Sequence, residues 1–126
     1  MMVLVGFCIS ALAGCGSDQS TSGEALATAT LTTEESLGFQ VYTRNCAACH
    51  LLTENDVKVG PSLHGIAQTA ENRVPNQDAV TYIYTSILKP DAYLVEGFQN
   101  VMPQGLAKSI TSEELDAVVA YLLTLR

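Results

Sequence analysis

Tryptophan is absent from the chain, and aromatic residues make up only 6% of its 126 positions. That leaves a small unit short of the large rings that usually fill a core. Basic residues are also scarce. Six Lys and Arg stand against thirteen Asp and Glu, a net charge of -7. This balance argues against nucleic acid, which needs a basic footprint, and against electrostatic attraction to anionic lipid. It suits docking on a basic partner, and it serves plain solubility equally well. The longest apolar run, within residues 1–12, holds roughly ten apolar residues and is too short to span a bilayer as a stable helix. A length of 126 residues allows one domain, and the part beyond the N-terminal region is small for an independent core.

Against this lean background stands Cys46-Ala47-Ala48-Cys49-His50. Two thiols three residues apart, with an imidazole directly after the second, read as an attachment site for c-type haem. The thiols add across the two porphyrin vinyl groups, and His50 is then held under the iron as proximal ligand. The two alanines between them keep the loop close to the macrocycle. A buried porphyrin would also supply the apolar interior that the composition lacks. Other readings of the pentapeptide fare worse. Zinc wants four ligands, usually two such pairs, and the remaining cysteines, Cys8 and Cys15, fall in the N-terminal segment. A thioredoxin-like pair wants a preceding strand and a βαβ context, whereas the flanks here are helical in pattern.

Residues 1–14 are expected to be a lipoprotein signal peptide, with residues 1–12 as its apolar h-region. The usual basic n-region is missing, which leaves the true start upstream or misassigned. Leu12-Ala13-Gly14-Cys15 resembles the lipobox of bacterial lipoproteins, in which cleavage precedes the cysteine and that cysteine is acylated. Cys15 is therefore the candidate lipidation site, and several acyl chains on it would give stable anchoring where one is marginal. The stretch 15–31 reads as a flexible tether with a mean reach of about 20 Å. The folded domain is placed at 32–126.

Within it, Thr32 and Glu35 have capping-box spacing, and Leu37, Val41 and Tyr42 follow at helical intervals. Gly38 is a poor helix former, so its presence implies a helix crossing closely at that point. Asn76-Gln77-Asp78 can cap a helix over 79 to about 88, with Val80, Ile83, Tyr84 and Ile87 as its apolar stripe and Pro90 as its stop. Thr111 and Glu114 repeat the capping box, ahead of Leu115, Val118, Val119 and Leu122 at i, i+3, i+4 and i+7.

Gly60-Pro61-Ser62-Leu63-His64-Gly65 is turn-rich. Pro61 offers a carbonyl that can accept from the free ring nitrogen of His50 and so fix its tautomer. Leu63 is expected against the haem. His64 is expected to bond backbone within the loop and not to ligate iron. Met102, in an apolar loop before Pro103, is the candidate for the second axial position; the bland alternative is gap-filling core. Asn100 is a candidate hydrogen-bond donor to the Met102 sulfur, and Arg73 and Tyr93 are candidates for the haem propionates.

Taken together, these residues resemble class I cytochromes c from about residue 37 onward. The pentapeptide, the Gly60 to Gly65 loop and Met102-Pro103 carry the likeness. So do Gly38 and Tyr42, eight and four residues before Cys46, with Tyr121 and Leu122 offered by the last helix. The resemblance implies an all-α fold of three to five helices around one covalent haem c, with the thioether edge exposed. It implies an electron-transfer protein and not an enzyme. The stretch 82–103 is also similar to cytochrome c domains of bacterial respiratory complexes, among them oxidase subunit II and the lipoprotein subunit of alternative complex III. The expected role is single-electron transfer in a respiratory or photosynthetic chain, at the extracytoplasmic face of a membrane. The expected partners are redox proteins, including a membrane complex, with no nucleic acid and no small-molecule substrate. The competing class is a haem enzyme or ligand sensor with an exchangeable distal position.

Overall fold

Thr32 and Thr111 start the two long helices by the same device. The Thr32 hydroxyl accepts from the Glu35 N–H at 3.2 Å, and the Glu35 carboxylate accepts from the Thr32 N–H at 2.7 Å. Thr111 and Glu114 do the same at 3.1 and 2.9 Å. Each box satisfies two backbone donors that a helix start leaves open. The helices are α1 (Thr33–Asn45), α2 (Ile66–Glu71), α3 (Ala79–Leu88) and α4 (Ser112–Thr124), with a single 3₁₀ turn at Leu106–Lys108. They come from a computed structural model that describes residues 30–126. The expected signal peptide, Cys15 and nearly all of the tether lie outside the described residues. Among the described residues there is no strand, and no helix is long and apolar enough to cross a membrane.

α1 and α4 cross at Gly38. A Cβ built there would lie 2.6 Å from the Ala117 carbonyl carbon and 2.6 Å from Tyr121 Cβ. Only hydrogen fits, so the glycine that weakens α1 as a helix permits it as a packing partner. Val41, Tyr42, Val118, Val119, Tyr121 and Leu122 are buried at this crossing. Tyr121 packs between Phe39 and Tyr42, with ring centroids 5.4 and 5.9 Å away.

Asp78 caps α3, its carboxylate accepting from the Thr81 N–H at 2.7 Å. The stripe expected on this helix is corrected by the structure. Val80 is 43% exposed, while Ala79, Tyr82, Ile83 and Ile87 are buried. Both sets satisfy helical spacing. The face is chosen by α3's neighbours: Tyr82 meets Tyr93 edge-on at 6.0 Å, and half-buried Tyr84 donates to Asp116 on α4 at 2.6 Å.

α2 has no counterpart in the sequence expectations. Six residues are too few to show a period, and an isolated helix of this length is not stable in water. Packing holds it: Ala70 is fully buried, and the Ala67 N–H donates to the Leu125 carbonyl at 3.1 Å.

Candidate haem site

Where α1 ends, the chain turns tightly. The N–H groups of Cys49 and His50 both donate to the Cys46 carbonyl, at 3.0 and 2.9 Å. The 60–63 segment is tied alongside by bonds from the Gly60 N–H to the Cys49 carbonyl (2.9 Å) and from the Leu63 N–H to the Leu51 carbonyl (2.8 Å). The Tyr42 hydroxyl donates to the His50 carbonyl at 2.8 Å. These bonds bring Cys46, Cys49, His50, Pro61 and Leu63 to the wall of one cleft.

The His50 ring is oriented within that wall. Its Nδ1 lies 2.8 Å from the Pro61 carbonyl oxygen. A carbonyl only accepts, so Nδ1 carries a proton, and in the neutral ring Nε2 is then the nitrogen with the lone pair. Gly60 lies flat against the imidazole. A Cβ at this position would come within 2.8 Å of Nδ1 and 2.9 Å of Nε2, so any larger residue would push the ring aside.

The loop between α3 and the 3₁₀ turn supplies Tyr93, Leu94, Val95, Phe98, Val101 and Met102 to the same cleft, and α3 and α4 add Ile83, Ile87 and Leu122. Including its open mouth, the cleft holds about 1260 Å³ of empty space. Met102 is half-buried and packs against the core. The donor set therefore comprises one imidazole with a free lone pair, one thioether and two thiols on an apolar lining. This set fits a haem attached through cysteine. It does not fit zinc: among the described residues no three His, Cys, Asp or Glu side chains cluster as metal ligands. Nor does it fit an acidic redox thiol pair. Burial, and after it the neighbouring Cys49, pushes the Cys46 thiol up to about 11, whereas reactive pairs are depressed below the usual range.

Several expected contacts differ. The His64 side chain is exposed and lies apart from the cleft lining. Only its backbone N–H bonds within the loop, donating to Ser62 Oγ at 3.0 Å. The Ser62 hydroxyl instead ties this loop to the preceding stretch, donating to the Thr53 carbonyl at 2.7 Å. Asn100 does not reach Met102; its carbonyl oxygen accepts from Gln104 at 3.4 Å. Arg73 and Tyr93 do line the cleft. The contributions of Ile66, Ser86 and Gln99 to the lining carry no signal in the sequence, because which loop residue faces a cleft is set by the fold.

The family model for Cytochrome c matches residues 36–126. The chain belongs to the cytochrome c family. The helical, strand-free architecture of the described residues is the all-α class I cytochrome c fold. Cytochromes c bind haem c covalently through cysteine, and Cys46 and Cys49 are the pair within the matched region that fits. Membership implies an electron carrier. No curated protein matches this cytochrome c.

Proposed function

We propose that this cytochrome c is a membrane-tethered monohaem carrier that passes single electrons in a respiratory or photosynthetic chain, as a subunit of a membrane complex or as a tethered shuttle to one. The observation that carries this reading is the cleft shared by Cys46, Cys49, His50 and Met102, with His50 Nδ1 engaged by Pro61. Haem held there supplies a one-electron iron couple.

The chain's own residues set how that couple behaves. His50 would hold the iron through Nε2, and Met102 would supply a thioether donor. Methionine is a weak donor that favours ferrous iron, and an apolar lining disfavours the extra charge of the ferric state, so the potential is high. Ile83, Ile87 and Leu122 exclude water from the interior. Leu63, Arg73 and Tyr93 line the cleft; Leu63 would pack on a bound haem, and Arg73 and Tyr93 would be candidates to hold its propionates.

With haem attached at Cys46 and Cys49, the electron would leave through the edge of the cofactor that the cleft exposes. Val59, Leu94 and Val101 line the cleft yet are 50%, 46% and 54% exposed. Exposed apolar side chains along a cleft suit an interaction surface, and a redox partner docks here. Cys15, acylated at the lipobox-like Leu12-Ala13-Gly14-Cys15, anchors the domain at the extracytoplasmic face through the 15–31 tether. Resemblance of the 82–103 stretch to domains of respiratory complexes, the lipoprotein subunit of alternative complex III among them, supports a fixed membrane partner.

Reduced protein under carbon monoxide tests the site. A resistant spectrum, together with the methionine-ligand charge-transfer band in the ferric form, is expected. Rapid stoichiometric binding would replace the carrier with an enzyme or sensor. Cys15→Ser is expected to release the protein into the soluble fraction, and co-migration of its haem with a larger complex after gentle solubilisation separates subunit from shuttle.

A further inference from the structure

His50 is held at two ends. Its ring is bonded to the Pro61 carbonyl, and its own carbonyl accepts from Tyr42 Oη, each at 2.8 Å. Tyr42 belongs to the α1–α4 crossing. It is 5% exposed and lies against Tyr121, where Gly38 leaves no room for the helices to shift. We propose that Tyr42 is a positioning residue for the proximal ligand, its hydroxyl fixing the His50 backbone while Pro61 fixes the ring. This rests on the reading of His50 as the iron's proximal ligand.

Geometry separates this role from packing. Without the Tyr42 bond, the imidazole keeps its tautomer through Pro61 and the His50 N–H stays on the Cys46 carbonyl at 2.9 Å, but the His50 carbonyl side of the backbone has no direct tie. With the carbonyl pinned as well, backbone and ring are both referred to rigid elements, and Gly60 against the ring face limits tilt. A phenylalanine at position 42 would fill the same core volume without reaching the carbonyl. A buried tyrosine hydroxyl does need some partner. Tyr121, 5% exposed as a residue and in the same cluster, bonds no protein group through its hydroxyl among the described residues, and that oxygen is not a buried atom without a partner. Its Phe variant therefore controls for loss of a tyrosine hydroxyl from the cluster that makes no bond to His50.

The test is proton NMR of the ferric holoprotein in the parent, Tyr42→Phe and Tyr121→Phe forms. In Tyr42→Phe the paramagnetically shifted His50 ring resonances move, and the Nδ1 proton exchanges with solvent about tenfold faster, the loss expected for one buried hydrogen bond. Tyr121→Phe matches the parent. If Tyr42→Phe leaves both shift and exchange at parental values, even with a lower melting temperature, the hydroxyl is only a satisfied core group and the proposal fails. A parent with no shifted His50 resonance would instead remove His50 as ligand. Should Tyr42→Phe yield no holoprotein, the parent still decides. Its Tyr42 hydroxyl proton is expected in slow exchange with a cross-peak to His50, and a fast-exchanging hydroxyl overturns the assignment.

Discussion

The two walls of the cleft are built by different means. The wall carrying His50 is over-determined: two capping boxes start its helices, Gly38 lets them touch, and bonds from Tyr42 and Gly60 and to Pro61 hold the pentapeptide. The wall carrying Met102 is irregular chain. Its 93–103 stretch shows only the short turns Phe98 to Val95, Val101 to Gln99 and Leu106 to Pro103, and Leu94 and Val101 stay exposed. One wall is finished by protein packed on protein. The other presents apolar side chains to a cleft and is completed by whatever fills it. The difference teaches that the His50 side of this site is held by the fold's own hydrogen bonds, while the Met102 side makes few backbone bonds of its own.

The same substitution made in each half gives the largest contrast. Gly38→Ala drives a methyl into the Ala117 backbone and is expected to destabilise the holoprotein by about 3 kcal/mol or more. Gly105→Ala, with nothing within 4 Å of the new Cβ, should stay within about 0.5 kcal/mol. Urea unfolding of both variants checks this, and equal losses would break the contrast. Next in size is Met102→Ala. Because covalent attachment belongs to the other wall, haem content by pyridine haemochrome should be unchanged while the potential falls by a large margin. An unchanged potential would mean that another group ligates the iron.

Hydrogen exchange sharpens the comparison without mutation. Amides of α1 and α4 should exchange roughly a hundredfold more slowly than those of 93–101 in the holoprotein, since local opening is cheapest where few apolar contacts and few backbone bonds are made. The smallest effect is electrostatic. The Thr111 N–H, and after it Arg44, holds the Glu114 carboxyl below its usual range, and the Thr81 N–H does the same for Asp78. A depressed folded pKa means stability that is present above the unfolded value, about 4.3 for Glu and 3.9 for Asp, and lost as pH falls through the folded one. Arg44→Ala should therefore raise the Glu114 titration midpoint, read by carbonyl NMR, and leave that of Asp78 unmoved.

Legibility follows the range of the interaction. The capping boxes at Thr32 and Thr111, the Asp78 cap and the extent of α3 could be read in advance, because each depends on residues within one or two turns. The crossing at Gly38 was readable for a different reason: a glycine that costs helix stability calls for a compensating contact. The bond from His50 to Pro61 followed from what a metal-bound imidazole must do with its other nitrogen. The stripe of α3 misled because two faces share the same period, and burial of Tyr82 over Val80 was settled by Tyr93. His64 misled because a polar ring in a turn-rich loop suggested a side-chain bond to backbone, whereas its position in the loop turned the ring to solvent. α2 could not be read at all, being too short to stand without Leu125 beneath it.

What local chemistry decided alone is the pentapeptide, and with it the kind of cofactor. Thiol, thiol and imidazole at that spacing meet one macrocycle, and no fold is needed to state it. The membership of both cleft walls, the tyrosine that reaches the His50 carbonyl and the face each helix buries were decided only in three dimensions. They depend on contacts between residues dozens of positions apart, and a contact's geometry is set by the backbone that carries both partners.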